Sequence, residues 1–198
     1  MQDMYEVIKI PHAMLKEKAH KIENIDADIK DQAERMVQTM YRDSGIGLAA
    51  NQVNILNRMF VMDLPENIWN YTGEKNGIKV IEAGYRSGER EEELVKNPTV
   101  FINPEIVWES EAKSVYEEGC LSIPGQYAEV VRPCDIKVRF QNAQGTTEVK
   151  EYSGLHAHCV QHEIDHLNGV LFIDYLSSLK RNMILKKMKK LQKDATAL

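Results

Sequence analysis

The segment Gln161-His162-Glu163-Ile164-Asp165-His166 constrains this chain more than any other. Two histidines four apart share one face of an α-helix, one turn apart, where both imidazoles can reach a single metal ion. Glu163, next to the first histidine, is placed to act as general base on a water held there. A shuffled chain of this composition shows the same spacing roughly one time in fifty, so the flanking residues must decide. Projected at about 100° per residue, Leu155, Cys159, His162 and His166 fall in one stripe, and Val160, Ile164 and Leu167 in a second. His158, Gln161, Asp165 and Asn168 remain as the polar side. A helix apolar on two sides is mostly buried. Buried imidazoles need partners, and a metal serves both. Ser153 is the expected N-cap and Gly169 the expected residue past the C-terminus.

A third ligand is available upstream. Cys120 lies in the run Glu117-Glu118-Gly119-Cys120-Leu121-Ser122-Ile123-Pro124-Gly125. As a ligand it would leave one position open for water and substrate. The alternative is an inert core cysteine. Cys134 and Cys159 have no such context, and three cysteines without a CxxC pair suit a reducing compartment. The chain has 198 residues, 43% hydrophobic and 28% charged, with net charge −5. This is ordinary for one soluble domain with its own core and gives no case for DNA binding by its body. The N-terminal stretch lacks a long apolar region and no apolar run is long enough to span a membrane, so the expected location is cytoplasmic.

The remaining pattern is mixed. A short strand is expected at 5–10, helical turns at 12–19 and a helix at 26–42. In that helix Ile29, Ala33, Met36, Val37 and Met40 recur at helical spacing. Strands are expected at 58–63, 99–103, 105–108, 127–131, 135–141, 146–152 and 170–174, and a last helix at 176–193. Residues 65–98 are polar and charged and read as a surface insertion, with a hairpin arm at 78–82. This order predicts a single α+β domain over 1–198, with antiparallel sheets folded around the central buried motif helix and a C-terminal helix behind.

Three segments stand together: Gly45-Ile46-Gly47-Leu48-Ala49-Ala50-Asn51-Gln52, Glu118-Gly119-Cys120-Leu121-Ser122 and Gln161-His162-Glu163-Ile164-Asp165-His166. In this order the chain resembles the peptide deformylases over nearly its whole length. The resemblance implies a metal-dependent hydrolase that removes the formyl group from the N-terminal formyl-methionine of nascent polypeptides. It implies Cys120, His162 and His166 as metal ligands, Glu163 as acid–base residue, and the Gln52 side chain with the Leu121 backbone N–H as oxyanion donors. The thiolate and two imidazoles suit iron(II), zinc, nickel or cobalt; the resemblance points to iron(II) as the native ion. It further implies that Ile46 and Gly47, with Gly45 beside them, pair with an extended substrate. Tyr116, Leu155, His158 and Cys159 are expected to wall the methionine pocket, where His158 is an unusual lining. Some family members carry a basic residue at the place of Tyr127, which cannot supply that charge.

The final helix carries Lys180, Arg181, Lys186, Lys187, Lys189, Lys190 and Lys193 opposite Ile184, Met188 and Leu191. The resemblance implies a ribosome contact there; a solvated basic face is the plain alternative. Two rival functions remain. An HExxH metalloprotease usually takes a further His or Glu ligand downstream, and no histidine follows His166. A metal-stabilised, non-catalytic module would show a closed four-ligand site.

Overall fold

The computed structural model describes residues 4–65, 69–84 and 96–196. The order is a 3-10 turn at Ala13–Lys16, α1 (Ala27–Arg42), β1 (Gly47–Ala49), a 3-10 turn at Ala50–Val53, β2 (Met59–Met62), β3 (Trp69–Lys75) and β4 (Ile78–Gly84). It continues with β5 (Thr99–Glu109), β6 (Lys113–Gly119), β7 (Tyr127–Pro133), β8 (Asp135–Gln141), β9 (Thr147–Ser153) and α2 (Gly154–Leu167). A 3-10 turn at Phe172–Tyr175 and α3 (Ser178–Thr196) close the chain. Two sheets form, one in the order β1-β2-β5-β8-β9 and one in the order β3-β4-β6-β7. All strand pairs are antiparallel except β4 with β6. The expected α+β class holds.

The helix α2 lies in the main core, against Phe60, Phe101 and Phe140 of the first sheet and Ile81 of β4. Phe60 and Phe101 stack with ring centroids 4.3 Å apart. The strand β2 is buried on both faces, which explains its unbroken apolar run. Its Phe60 and Met62 face α2, while Met59 and Val61 meet Met36, Val37 and Met40 of α1. The Asp26 side chain caps α1 by accepting from the Ile29 amide at 3.0 Å. Gly169, with φ of +73°, ends α2 as expected.

Several elements differ from the sequence expectation. Residues 5–10 are extended but join no sheet; the Ile8 amide donates to the Gln52 carbonyl and the Ile10 amide to the Ser122 carbonyl. The two strands expected at 99–103 and 105–108 are one, β5, bulged where Asn103 takes a positive φ of 52°. The strand expected at 170–174 is a 3-10 turn, because the Asp174 carboxylate accepts from the Leu171 amide and folds the chain back. β6 was not anticipated: its inward positions include Ser114 and Glu118, so the apolar alternation that marks a strand is missing. The hairpin arm at 78–82 is found as β4, paired with β3 around Asn76-Gly77, both at positive φ. The charge run at 89–93 lies outside the described residues. Along α3, Ile184, Leu185 and Met188 pack inward, whereas Leu191 is exposed. Among the described residues, no helix is long and apolar enough to cross a membrane.

Candidate metal centre and substrate cleft

β6 ends at Gly119 and delivers Cys120 beside the inner face of α2. There the ligand atoms of Cys120, His162 and His166 lie within 4.8 Å of one another. Cys120 Sγ is 3.3 Å from His166 Nε2. Two donors on one tetrahedral ion, with bonds of about 2.0–2.3 Å, stand about 3.5 Å apart, so this pair fits a shared ion. Among the described residues the group has these three members, which leaves a coordination position open. Burial pulls His162 down, but bonds to Cys120 and Glu118 outweigh it and push it well above its ordinary value. Burial and the neighbouring His162 push His166 well below.

His162 is aimed by a buried partner. Its Nδ1 lies 2.8 Å from Glu118 Oε2, which leaves Nε2 to face the ligand cluster. Glu118 also receives Arg132 Nε at 2.6 Å and Nη2 at 3.0 Å, and His158 Nδ1 lies 3.3 Å away. Arg132 further donates to Asp165 at 2.7 Å, and Ser114 Oγ is 2.9 Å from His158 Nε2. Burial disfavours charge on Glu118, yet these hydrogen bonds hold its carboxyl well below the usual range. Glu118, Arg132, Ser114 and Asp165 were not assigned roles from sequence. A signal was present: charged residues inside strand segments must be paired when buried.

Glu163 is buried to the same extent as Glu118, and its Oε2 has no hydrogen-bond partner. Burial pushes its carboxyl up to about 7, against the pull of His162. Gly47 lies directly over it: a Cβ on Gly47 would come within 2.9 Å of Glu163 Cδ. This close approach explains glycine there. The Gln52 amide is oriented by the Ala49 amide, which donates to Oε1 at 2.8 Å. Its Nε2 then points at Cys120 Sγ, 3.5 Å away, and at Ser122 Oγ, 3.3 Å away.

A cleft of about 490 Å³ opens over this group. It is lined by Gly45, Ile46, Gly47, Gln52, Tyr116, Cys120, Leu121, Leu155, His158, Cys159, His162 and Glu163, so the sequence-predicted site residues meet around one space, except that His166 lies behind the wall. His158 and Gln161, expected on the polar side of α2, are buried because both are bonded: His158 to Ser114 and Glu118, Gln161 to the Pro133 and Ala157 carbonyls. With both ring nitrogens engaged, His158 presents carbon to the cleft and packs edge-on to Tyr116 at 5.9 Å. Burial and the charge of Glu163 push the Cys159 thiol well up, so it is neutral wall. Tyr127 stands at the mouth, 65% exposed, its ring laid where a Gly119 side chain would be.

Residues 4–182 match the family described as polypeptide deformylase. The chain belongs to the polypeptide deformylase family. The peptide deformylase of Mesorhizobium japonicum is 45% identical over 188 residues, covering 95% of this chain and 93% of that protein. The crystal structure of peptide deformylase from Ehrlichia chaffeensis superimposes with a TM-score of 0.81 at 32% identity, covering 98% of this chain and 99% of that one. The same enzyme in complex with actinonin gives a TM-score of 0.79 at 34% identity, covering 96% and 98%. The family accounts for the motif order: glycine strand, cysteine turn and histidine helix are the three walls of one cleft.

Proposed function

We infer that this chain is a metal-dependent hydrolase that removes the formyl group from the N-terminal formyl-methionine of newly made polypeptides and releases formate. The observation that carries this reading is the unpartnered buried carboxylate of Glu163 beside three convergent ligand atoms. Cys120, His162 and His166 would hold one divalent ion. The donor set suits iron(II), zinc, nickel or cobalt, and iron(II) is the reading for the native ion by family resemblance. When bound, the ion supplies Lewis acidity to a water and to the formyl oxygen.

Each residue then has a defined task. Glu163 takes a proton from the attacking water and returns it to the departing amine nitrogen. The Gln52 Nε2 amide and the Leu121 backbone N–H donate to the oxygen that becomes negative as the formyl carbon turns tetrahedral. Glu118 fixes the ring of His162, and Arg132 fixes Glu118. Among the described residues β1 is an edge strand, paired with β2 alone, so its free side would accept an extended peptide through Ile46 and Gly47. Gly45 keeps that approach open, since a Cβ there would press on Leu121. Tyr116, Leu155, His158 and Cys159 would enclose the methionine side chain. The basic side of α3 is the proposed ribosome contact, and the cytoplasm the proposed compartment.

The test is formate release from formyl-Met-Ala-Ser by protein purified without oxygen and loaded with Fe(II) or Ni(II). The expected result is metal-dependent formate with the Met-Ala bond intact. Cleavage of internal peptide bonds instead would favour a metalloprotease. Bound metal without formate release would return the non-catalytic reading.

A further inference from the structure

The substrate cleft does not end at Tyr127. A second cavity of about 540 Å³ is lined by Met4, Glu6, Val7, Lys9, Arg42, Asp43, Leu121 and Pro124. Asp43, Leu121 and Pro124 line both spaces, so the two adjoin at that corner. We propose that this second groove is a binding site for the downstream chain of the substrate, from about its fourth residue onward. The proposal rests on the deformylase reading of the cleft.

The direction follows from strand geometry. A peptide laid antiparallel against Ile46-Gly47 begins near Glu163 and runs back toward Gly45, Ser44 and Asp43. Three residues opposite Gly47, Ile46 and Gly45 bring it to the tight turn at Asp43 and Ser44, where the Gly45 amide donates back to the Met40 carbonyl and the strand edge ends. From there the groove continues between the extended N-terminal segment and the turn that carries Leu121 and Pro124. Its walls are firm. The Ile8 amide donates to Gln52 and the Ile10 amide to Ser122, so the segment is tied to the same residues that frame the metal centre. Arg42 locks the corner: its Nη2 donates to the Tyr5 carbonyl at 2.9 Å and to Asp43 at 2.8 Å, and its Nε to Asp43 at 2.7 Å. The lining mixes apolar Met4, Leu121 and Pro124 with exposed Glu6 and Lys9, a surface that grips backbone and stems without requiring one side chain.

The experiment compares formyl-Met-Ala-Ser with formyl-Met-Ala-Ser-Ala-Lys-Ala on the Ni(II)-loaded enzyme and on Lys9→Trp, which fills the groove from an exposed position. The expected result is a KM about fivefold lower for the longer peptide, with kcat little changed, and loss of that advantage in Lys9→Trp while the tripeptide is processed as before. A second arm uses loaded Glu163→Gln and a hexapeptide with a benzophenone side chain at its fifth residue. The label should fall within residues 4–9 or on Pro124. Equal KM for the two lengths, or label confined to other segments, would overturn the groove while leaving the deformylase reading intact. No turnover of the tripeptide would overturn that reading, and the groove with it.

Discussion

Glu118 and Glu163 flank the same histidine, and each is only 4% exposed. Glu118 is surrounded by Arg132, His158 and His162, and its carboxyl is held far below its usual range. Glu163 has one oxygen with no partner, and burial pushes its carboxyl up to about 7. Equal burial therefore goes with a carboxyl pushed down in one case and one pushed up in the other. Hydrogen-bond partners make the difference. On the proposed deformylase mechanism, the first glutamate would serve by staying charged and the second by exchanging a proton.

The sharpest way to break this contrast is to remove the carrier. Glu163→Ala should keep its metal and lose about 10²–10⁴-fold in turnover. Metal content by elemental analysis and formate release by a coupled assay would check both halves. Removing a ligand should act on the other half: Cys120→Ser should bind the ion far more weakly, and activity should return only in part at high metal concentration. Unchanged metal content in that variant would take Cys120 out of the ligand set.

Next comes the fixed charge. Arg132→Met leaves Glu118 buried with only histidine partners, and breaking such a pair costs about 3–5 kcal/mol. Denaturant unfolding of the loaded protein would read this loss. Metal affinity should fall about 10–100-fold as Glu118, which orients His162, loses the guanidinium that fixes it. The metal-free protein should also show the sign of the Glu118 shift. A carboxyl depressed in the fold contributes stability above its unfolded value, and that contribution is lost as pH falls below about 4.5 toward its folded value.

The smallest effect is a displacement in pH. Glu163 must be ionised to accept a proton, so kcat/KM should fall as pH drops through its folded value. That limb should lie at or below about 7, since a bound cation stabilises the carboxylate further. The residual activity of Glu163→Ala should lack this limb. A limb that persists unchanged in the variant would assign the titration to another group.

The sequence made the second half of this comparison, the Glu163 side, legible and hid the first. Histidine spacing, the cysteine turn and the glycine strand announce themselves because their chemistry needs particular residues close together in the chain. Glu118, Arg132, Ser114 and Asp165 come from three separate elements and meet only when β6 and β7 pair beside α2. Their strand was also hard to see, because its inward positions are polar. α1 and α2 were legible from apolar recurrence, whereas Asp174 turned an apolar run into a 3-10 turn through one local hydrogen bond. His158 was legible as a pocket residue but not as a bonded one, since Ser114 is 44 residues away.

The most direct test places Glu163→Gln and Glu118→Gln side by side, each loaded with Ni(II), with metal content and formate release measured on the same samples. The account predicts one ion per chain and no turnover for Glu163→Gln, and weakened metal binding for Glu118→Gln with turnover that tracks the metal retained. Metal loss in Glu163→Gln, or full turnover in it, would contradict the assignment of the two carboxylates.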